Sequence, residues 1–192
     1  MRITKVISRV FHKFAKLKFQ PGQELPKKAV IIGAPHTSYW DGIYMAMGLW
    51  EYGRKFQFLV KDSAVNSPFG PIIKAAGGLA VERSENHGLV DQIVAEFNKR
   101  DELLLVITPK GTRSPREFWK SGFYHIAEKA GVPVVLGYVD TLGTKTYGWD
   151  GQIQLTGDMK ADMEKIRAFY ADKSGIKPEW QSVPRLRGEE LS

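Results

Sequence analysis

Three stretches of this chain are apolar at consecutive positions: AVIIGA at 29–34, LLLVIT at 103–108 and VPVVLGYV at 132–139. A strand with one wet face alternates apolar and polar residues, so unbroken runs of this length require cover on both faces. None approaches the ~20 residues needed to span a bilayer as a helix. Each therefore reads as a strand inside a sheet layered by helices. Shorter patterns at 56–61, 78–82 and 151–156 fit further strands, and 40–51, 68–76, 86–100, 121–130 and 158–173 carry helical periodicity. Strand–helix repetition of this kind predicts an α/β fold with a mostly parallel central sheet flanked by helices. Working residues of such sheets sit on loops beyond the carboxyl ends of strands. APHTSYWD and TPKGTRS both occupy that position.

At 192 residues the chain is large enough for one domain with its own core, and 43% apolar with 26% charged residues is ordinary for one. It has no cysteine, which excludes disulfides and thiolate metal sites and is compatible with a reducing, cytosolic environment. The net charge of +7 is unevenly placed. Arg2, Lys5, Arg9, Lys13, Lys16 and Lys18 fall within the first twenty residues with no acid among them, and the remainder holds 22 basic and 21 acidic side chains. Basicity confined to one segment argues against a broad nucleic-acid surface, and no nucleic-acid partner is expected.

That segment does not read as a signal peptide, because basic residues interrupt it throughout. On a helical wheel Ile3, Val6, Ile7, Val10, Phe11, Phe14 and Leu17 fall on one side and Arg2, Lys5, Arg9, Lys13 and Lys16 on the other. Such a helix suits an anionic membrane surface, with its stripe among acyl chains and its lysines toward headgroups. It also suits packing of the stripe on the domain, and the two are compatible. The expected organisation is an amphipathic membrane-association helix over 1–19, a linker over 20–28, a domain over 29–174 and an irregular tail over 175–192. The expected location is peripheral, on the cytoplasmic face of the membrane.

No G-x-S-x-G elbow, G-x-x-x-x-G-K or G-x-G-x-x-G occurs, and His12, His36, His87 and His125 show no metal-ligand spacing. What remains is His36 with Asp41. Residues five apart lie about 140° apart around an ideal helix, so the two cannot share a face of one. With His36 in the turn after a strand and Asp41 in the first helical turn, the carboxylate can orient one imidazole nitrogen and leave the other to take a proton. No serine or cysteine nucleophile is evident, so that proton would come from a substrate hydroxyl. Taken alone, the pair reads first as a capping aspartate beside an incidental histidine. Thr37 and Ser38 are placed to cap the same helix.

Three further segments alter that balance. VKDSAVNSPFGPIIKAAGGLAVERS (60–84) runs from one strand end to another at Arg83, ITPKGTRSPREFWKSGFYHIA (107–127) carries Gly111, Thr112 and Arg113, and AGVPVVLGYVD (130–140) is a buried strand. In order and spacing, H-x-x-x-x-D, a G…R block, a P-E-G-T-R-S-like block and V-P-hydrophobic resemble the glycerolipid acyltransferase family, which includes the lysophosphatidic acid acyltransferases. The resemblance covers roughly 29–140. It implies transfer of a fatty acyl group from a thioester, acyl-CoA or acyl-ACP, to the hydroxyl of a lysophospholipid acceptor such as 1-acyl-glycerol-3-phosphate, with these as partners and no cofactor. It also implies His36 as general base, Asp41 as its orienting partner, Arg83 and Arg113 as holders of the acceptor phosphate, and Lys61 as a helper. Gly111 and Thr112 match the third block, where Gly111 leaves room for backbone amides to face a developing oxyanion.

One position departs from the pattern: Lys110 stands where the family has glutamate. An ammonium in place of a carboxylate reverses the local charge. Lys110 would then add a phosphate or carboxylate contact, signal a different lysolipid acceptor, or mark lowered activity. The alternative to an enzyme is a non-catalytic membrane-lipid-binding module on the same scaffold. Glu82 is placed to pair with Arg83. The aromatics Phe118, Trp119, Phe123 and Tyr124, with Ile126, read first as core and second as an acyl groove, and His125 reads as structural.

Overall fold

The computed structural model describes residues 2–81 and 88–190. Its elements in chain order are α1 (Arg2–Phe14), β1 (Lys18–Pro21), β2 (Lys28–Ala34), α2 (Tyr39–Tyr52), β3 (Gln57–Lys61), α3 (Asp62–Val65), α4 (Gly70–Ala75), β4 (Gly78–Val81), α5 (Gly88–Lys99), β5 (Leu103–Ile107), α6 (Gly122–Ala130), β6 (Val134–Asp140), β7 (Thr146–Ile153) and α7 (Met159–Tyr170), followed by two short 3-10 turns at Pro178–Trp180 and Arg187–Glu190.

The strands form one seven-stranded sheet in the order β1-β7-β6-β2-β5-β3-β4. β6, β2, β5, β3 and β4 run parallel, while β7 is antiparallel to β6 and carries β1 parallel to itself. The mostly parallel α/β sandwich expected from the apolar runs is the fold observed.

Consecutive apolar residues divide between the two layers, as strand geometry requires. Val30, Ile32, Leu103, Leu105, Val134 and Leu136 pack with Phe97 of α5, Phe123 and Ile126 of α6, and Met163 and Ile166 of α7. Ala29, Ile31, Leu104 and Val135 face the other way, under Met45 and Leu49 of α2 and against Trp149. Trp119, Phe123, Tyr124 and Ile126 are buried, as the core reading has it, while Phe118 is only half-buried.

β2 is central, hydrogen-bonded to both β5 and β6. Its register pairs Ile32 with Ile107 and with Leu136. Counting onward, the loop that carries His36 and the turn that carries Lys110–Arg113 leave the sheet side by side. β3 and β5 share only the pairs Gln57–Leu105 and Phe58–Val106 before they part.

Two strand assignments differ from expectation. Lys18–Pro21, read from sequence as a helix end and linker start, pairs with Thr146–Trp149 as an edge strand. Four residues with one partly buried apolar side chain, Phe19, offer no usable period. β7 begins at Thr146 rather than 151, because Gly148, Asp150 and Gly151 interrupt its alternation.

The placement of α1 is the other informative point. It runs antiparallel to α2, with the side chain of Lys5 at Gly53, Ser8 on Glu51 and Phe11 on Tyr44. Its inward face carries Ser8, Phe11 and His12, and His12 bonds the Tyr147 hydroxyl. Most of the apolar stripe faces outward, with Ile3 76% and Phe14 82% exposed and Val6, Ile7 and Val10 exposed between them, while Phe11 and Leu17 of the same stripe pack on the domain. Among the described residues no helix is long and apolar enough to cross a membrane.

Candidate active site

The loop after β2 is organised by its own neighbours. Asp41 Oδ2 accepts the backbone N–H groups of Thr37 at 2.6 Å and Ser38 at 2.7 Å, while the Ser38 side chain accepts from Trp40 N. Ser38 and Asp41 thus form a capping box at the start of α2. Capping and catalytic readings of Asp41 therefore coexist in one carboxylate. His36 Nδ1 lies 3.8 Å from the same Oδ2, and the side chains are 18% and 9% exposed. The other carboxylate oxygen, Oδ1, is buried with no hydrogen-bond partner. Thr37, expected as a second cap, is instead buried and accepts from Lys177 N through Oγ1 at 3.1 Å.

Electrostatics set the protonation states. Burial, reinforced by the positive charges of Lys110 and Arg113, lowers the His36 imidazole to about 4, so the ring is neutral at neutral pH. Burial raises Asp41 above the usual aspartate value, opposed by the Ser38 and Thr37 amides and by Lys110.

The turn after β5 is organised by distant parts of the chain. Lys110 is 3% exposed, and its Nζ donates to the carbonyl oxygens of Arg113 at 2.9 Å and Trp180 at 2.7 Å. Burial lowers its ammonium below the usual lysine value, partly offset by Asp41. Arg113 lays its guanidinium over the Tyr39 ring, 3.4 Å from the centroid, on the first residue of α2. That contact joins the two loops.

Gly111 adopts φ +66°, a left-handed conformation natural to glycine, and its N–H donates to Thr108 O at 2.9 Å. That amide is engaged within its own turn, so a backbone amide facing a developing oxyanion would be one other than that of Gly111. Thr112 Oγ1 accepts from Ser114 N within the same turn. Among the sequence-derived candidates the structure thus gathers His36, Asp41, Lys110 and Arg113, with Gly111 and Thr112 shaping the turn. Arg83 and its suggested partner Glu82 lie outside the described residues, as does the side chain of Lys61. His125 sits on α6, half-exposed beside Glu128. Among the described residues no cluster of ligating side chains fits a metal.

A groove of about 1740 Å³ opens beside this constellation. Tyr39 and Gly111, from the two site loops, line it together with Ile43, Met47, Phe118 and Ile126, whereas His36 and Lys110 line a separate small cavity. Phe58 and Val106 of the α2-facing layer and Leu59 and Ile107 of the opposite layer all contribute, so it passes where β3 and β5 separate.

Sequence reasoning missed Tyr39 and the C-terminal segment. Arg116 N donates to Ser182 Oγ at 2.8 Å and Trp119 N to Arg185 O at 2.7 Å, so the tail expected to be irregular is bound along the turn. Nothing in its local pattern marks that role.

Comparisons with known proteins address the family and the fold. The acyltransferase family model matches residues 16–136, a span containing every candidate site residue. The 1-acyl-sn-glycerol-3-phosphate acyltransferase of Escherichia coli K12 is 27% identical over 128 residues, covering 56% of this chain and 50% of that protein. The chain thus spans about half the length of this curated relative. The crystal structure of the 1-acyl-sn-glycerophosphate (LPA) acyltransferase from Thermotoga maritima aligns with a TM-score of 0.58 over 90% of this chain and 76% of that one. At 16% identity this likeness shows a shared fold.

Proposed function

Because the chain belongs to the acyltransferase family, we propose that it transfers a fatty acyl group from a thioester to the hydroxyl of a lysophospholipid, with His36 as general base. The observation that carries this reading is His36 in the loop after β2, largely buried, with Nδ1 3.8 Å from the Asp41 carboxylate and within the positive fields of Lys110 and Arg113.

Nδ1 of His36 faces Asp41, which leaves Nε2 for the acceptor. Nε2 takes the hydroxyl proton as the oxygen attacks the thioester carbonyl, and the tetrahedral adduct collapses to an ester with expulsion of thiolate. The imidazolium returns its proton to that sulfur, so the base is regenerated. Asp41 steadies the transient imidazolium, and the 3.8 Å separation shortens to a hydrogen bond as the ring gains charge. A base at about 4 is a weak proton acceptor. An acceptor phosphate on Arg113 offsets the cations that depress it and raises basicity when substrate is in place. The groove takes the acyl chain.

The donor is acyl-CoA or acyl-ACP. The outward stripe of α1 docks on an anionic membrane as a peripheral contact. The antiparallel packing of α1 on α2 carries exposed Phe14 toward the end of α2 that bears exposed Tyr39 and Trp40, beside His36. A lysolipid in the bilayer would then meet the base without leaving its leaflet.

The test is thiol release from acyl-CoA and acyl-ACP against a panel of lysolipids, with native protein and His36→Ala. Acceptor-dependent release by native protein, lowered about 10²–10⁴-fold in the variant, is expected. Lipid acylation by His36→Ala at the native rate contradicts the assignment. Vesicle binding without any thioester consumption supports the lipid-binding alternative.

A further inference from the structure

We propose that Lys110 is a positioning residue that pins the C-terminal segment 173–187 to the turn 110–113 and thereby holds Arg113 against Tyr39 for an anionic acceptor group. The inference rests on the acyltransferase reading and assigns Lys110 a task other than touching substrate.

Its ammonium is buried, and two of its donors end on main-chain carbonyls, one on its own turn and one seventy residues on. A buried ammonium is costly unless hydrogen-bonded, so these contacts specify geometry strongly. On one side of Trp180, Ser182 and Arg185 accept from Arg116 and Trp119. On the other side, Lys177 N donates to Thr37 Oγ1, and Gly175 lies so close that a Cβ there would meet Thr37 Oγ1 at 2.7 Å and the Pro35 carbonyl at 2.9 Å. The segment therefore spans both loops of the site, and Lys110 fastens it at the centre. Since Lys110 grips the Arg113 carbonyl, the backbone beneath the guanidinium is fixed as well.

This accounts for the lysine where the family has glutamate. A carboxylate at 110 would confront two carbonyl oxygens, so Lys110→Glu, which restores the family's order of residues, is expected to impair the protein.

The experiment is a double-mutant cycle on the full chain, using lysophosphatidate as the acceptor, with Lys110→Met, Arg113→Ala and the double variant. Lys110→Met should raise acceptor KM about tenfold with kcat within about threefold, and should add less than about twofold in the Arg113→Ala background. Additive effects would mean that Lys110 contacts the acceptor independently, and an unchanged KM would mean a merely structural lysine; either overturns the proposal. Lys110→Gln keeps donors on a shorter arm and should fall between native and Lys110→Met, which covers the case of a poorly folding methionine variant. Hydrogen exchange supplies an arm without turnover: the amides of Arg116 and Trp119 should exchange about tenfold faster in either variant. If native protein acylates no acceptor, the acyltransferase reading fails, while unchanged exchange at those amides overturns the role of Lys110.

Discussion

The loops after β2 and β5 emerge side by side yet are held in different ways. The first is closed chiefly by residues within five positions of one another, Asp41 capping Thr37 and Ser38 and facing His36, with the tail touching it at Thr37 and Pro35. The second is held from outside, by Trp180, Ser182 and Arg185. Local closure places His36, the proposed base, with few degrees of freedom. Remote closure makes Arg113, the proposed acceptor-binding group, depend on how the tail is seated.

That contrast can be broken from either side. The largest effect is expected for Asp41→Ala, which removes the orienting carboxylate and the cap together. Turnover should fall about 10²-fold or more, and stability by about 1 kcal/mol in thermal denaturation. Exchange at Arg116 and Trp119 should stay native, because the second loop is held elsewhere.

Arg113→Ala should raise acceptor KM about 10–100-fold, the range for a lost charged hydrogen-bond pair, with thioester KM unchanged. A uniform fall in kcat with unaltered KM would show that Arg113 acts on the reacting atoms instead.

Gly175→Val tests the join between the two, since its side chain would press on the buried Thr37 side chain and the Pro35 carbonyl. Overpacking predicts a loss of about 1–3 kcal/mol in denaturant unfolding. Exchange at Lys177 should accelerate with it.

The smallest effect is expected for Tyr39→Ala, which takes away the ring beneath Arg113. A cation–π contact of about 0.5–1 kcal/mol corresponds to a rise of about two- to fivefold in acceptor KM. No change at all would mean that Lys110 suffices to place Arg113.

The same contrast explains what was legible. Buried strands announce themselves by unbroken apolar runs, so the sheet and its central strand β2 were readable. The pair His36 and Asp41 was readable because five residues of chain enforce its proximity. Lys110 was visible only as an exception, since its partner in the tail is the main-chain carbonyl of Trp180, a contact independent of residue type. β1 escaped notice for a related reason: an edge strand of four residues is specified by its partner β7. α1 was read correctly as amphipathic, but the face that packs inward is that of Ser8, Phe11 and His12, while Arg9 and Lys13 stay exposed along with most of the apolar stripe.

The most direct test is NMR titration of the His36 ring in the native protein and in Lys110→Met. Asp41 on one side and Lys110 and Arg113 on the other are the charged groups acting on it. A His36 that stays neutral down through pH 5.5, with a midpoint near 4 that rises when the Lys110 charge is removed, is the predicted result. A midpoint at or above the ordinary histidine value of about 6.5, unmoved in the variant, would contradict a base held neutral by burial and neighbouring cations.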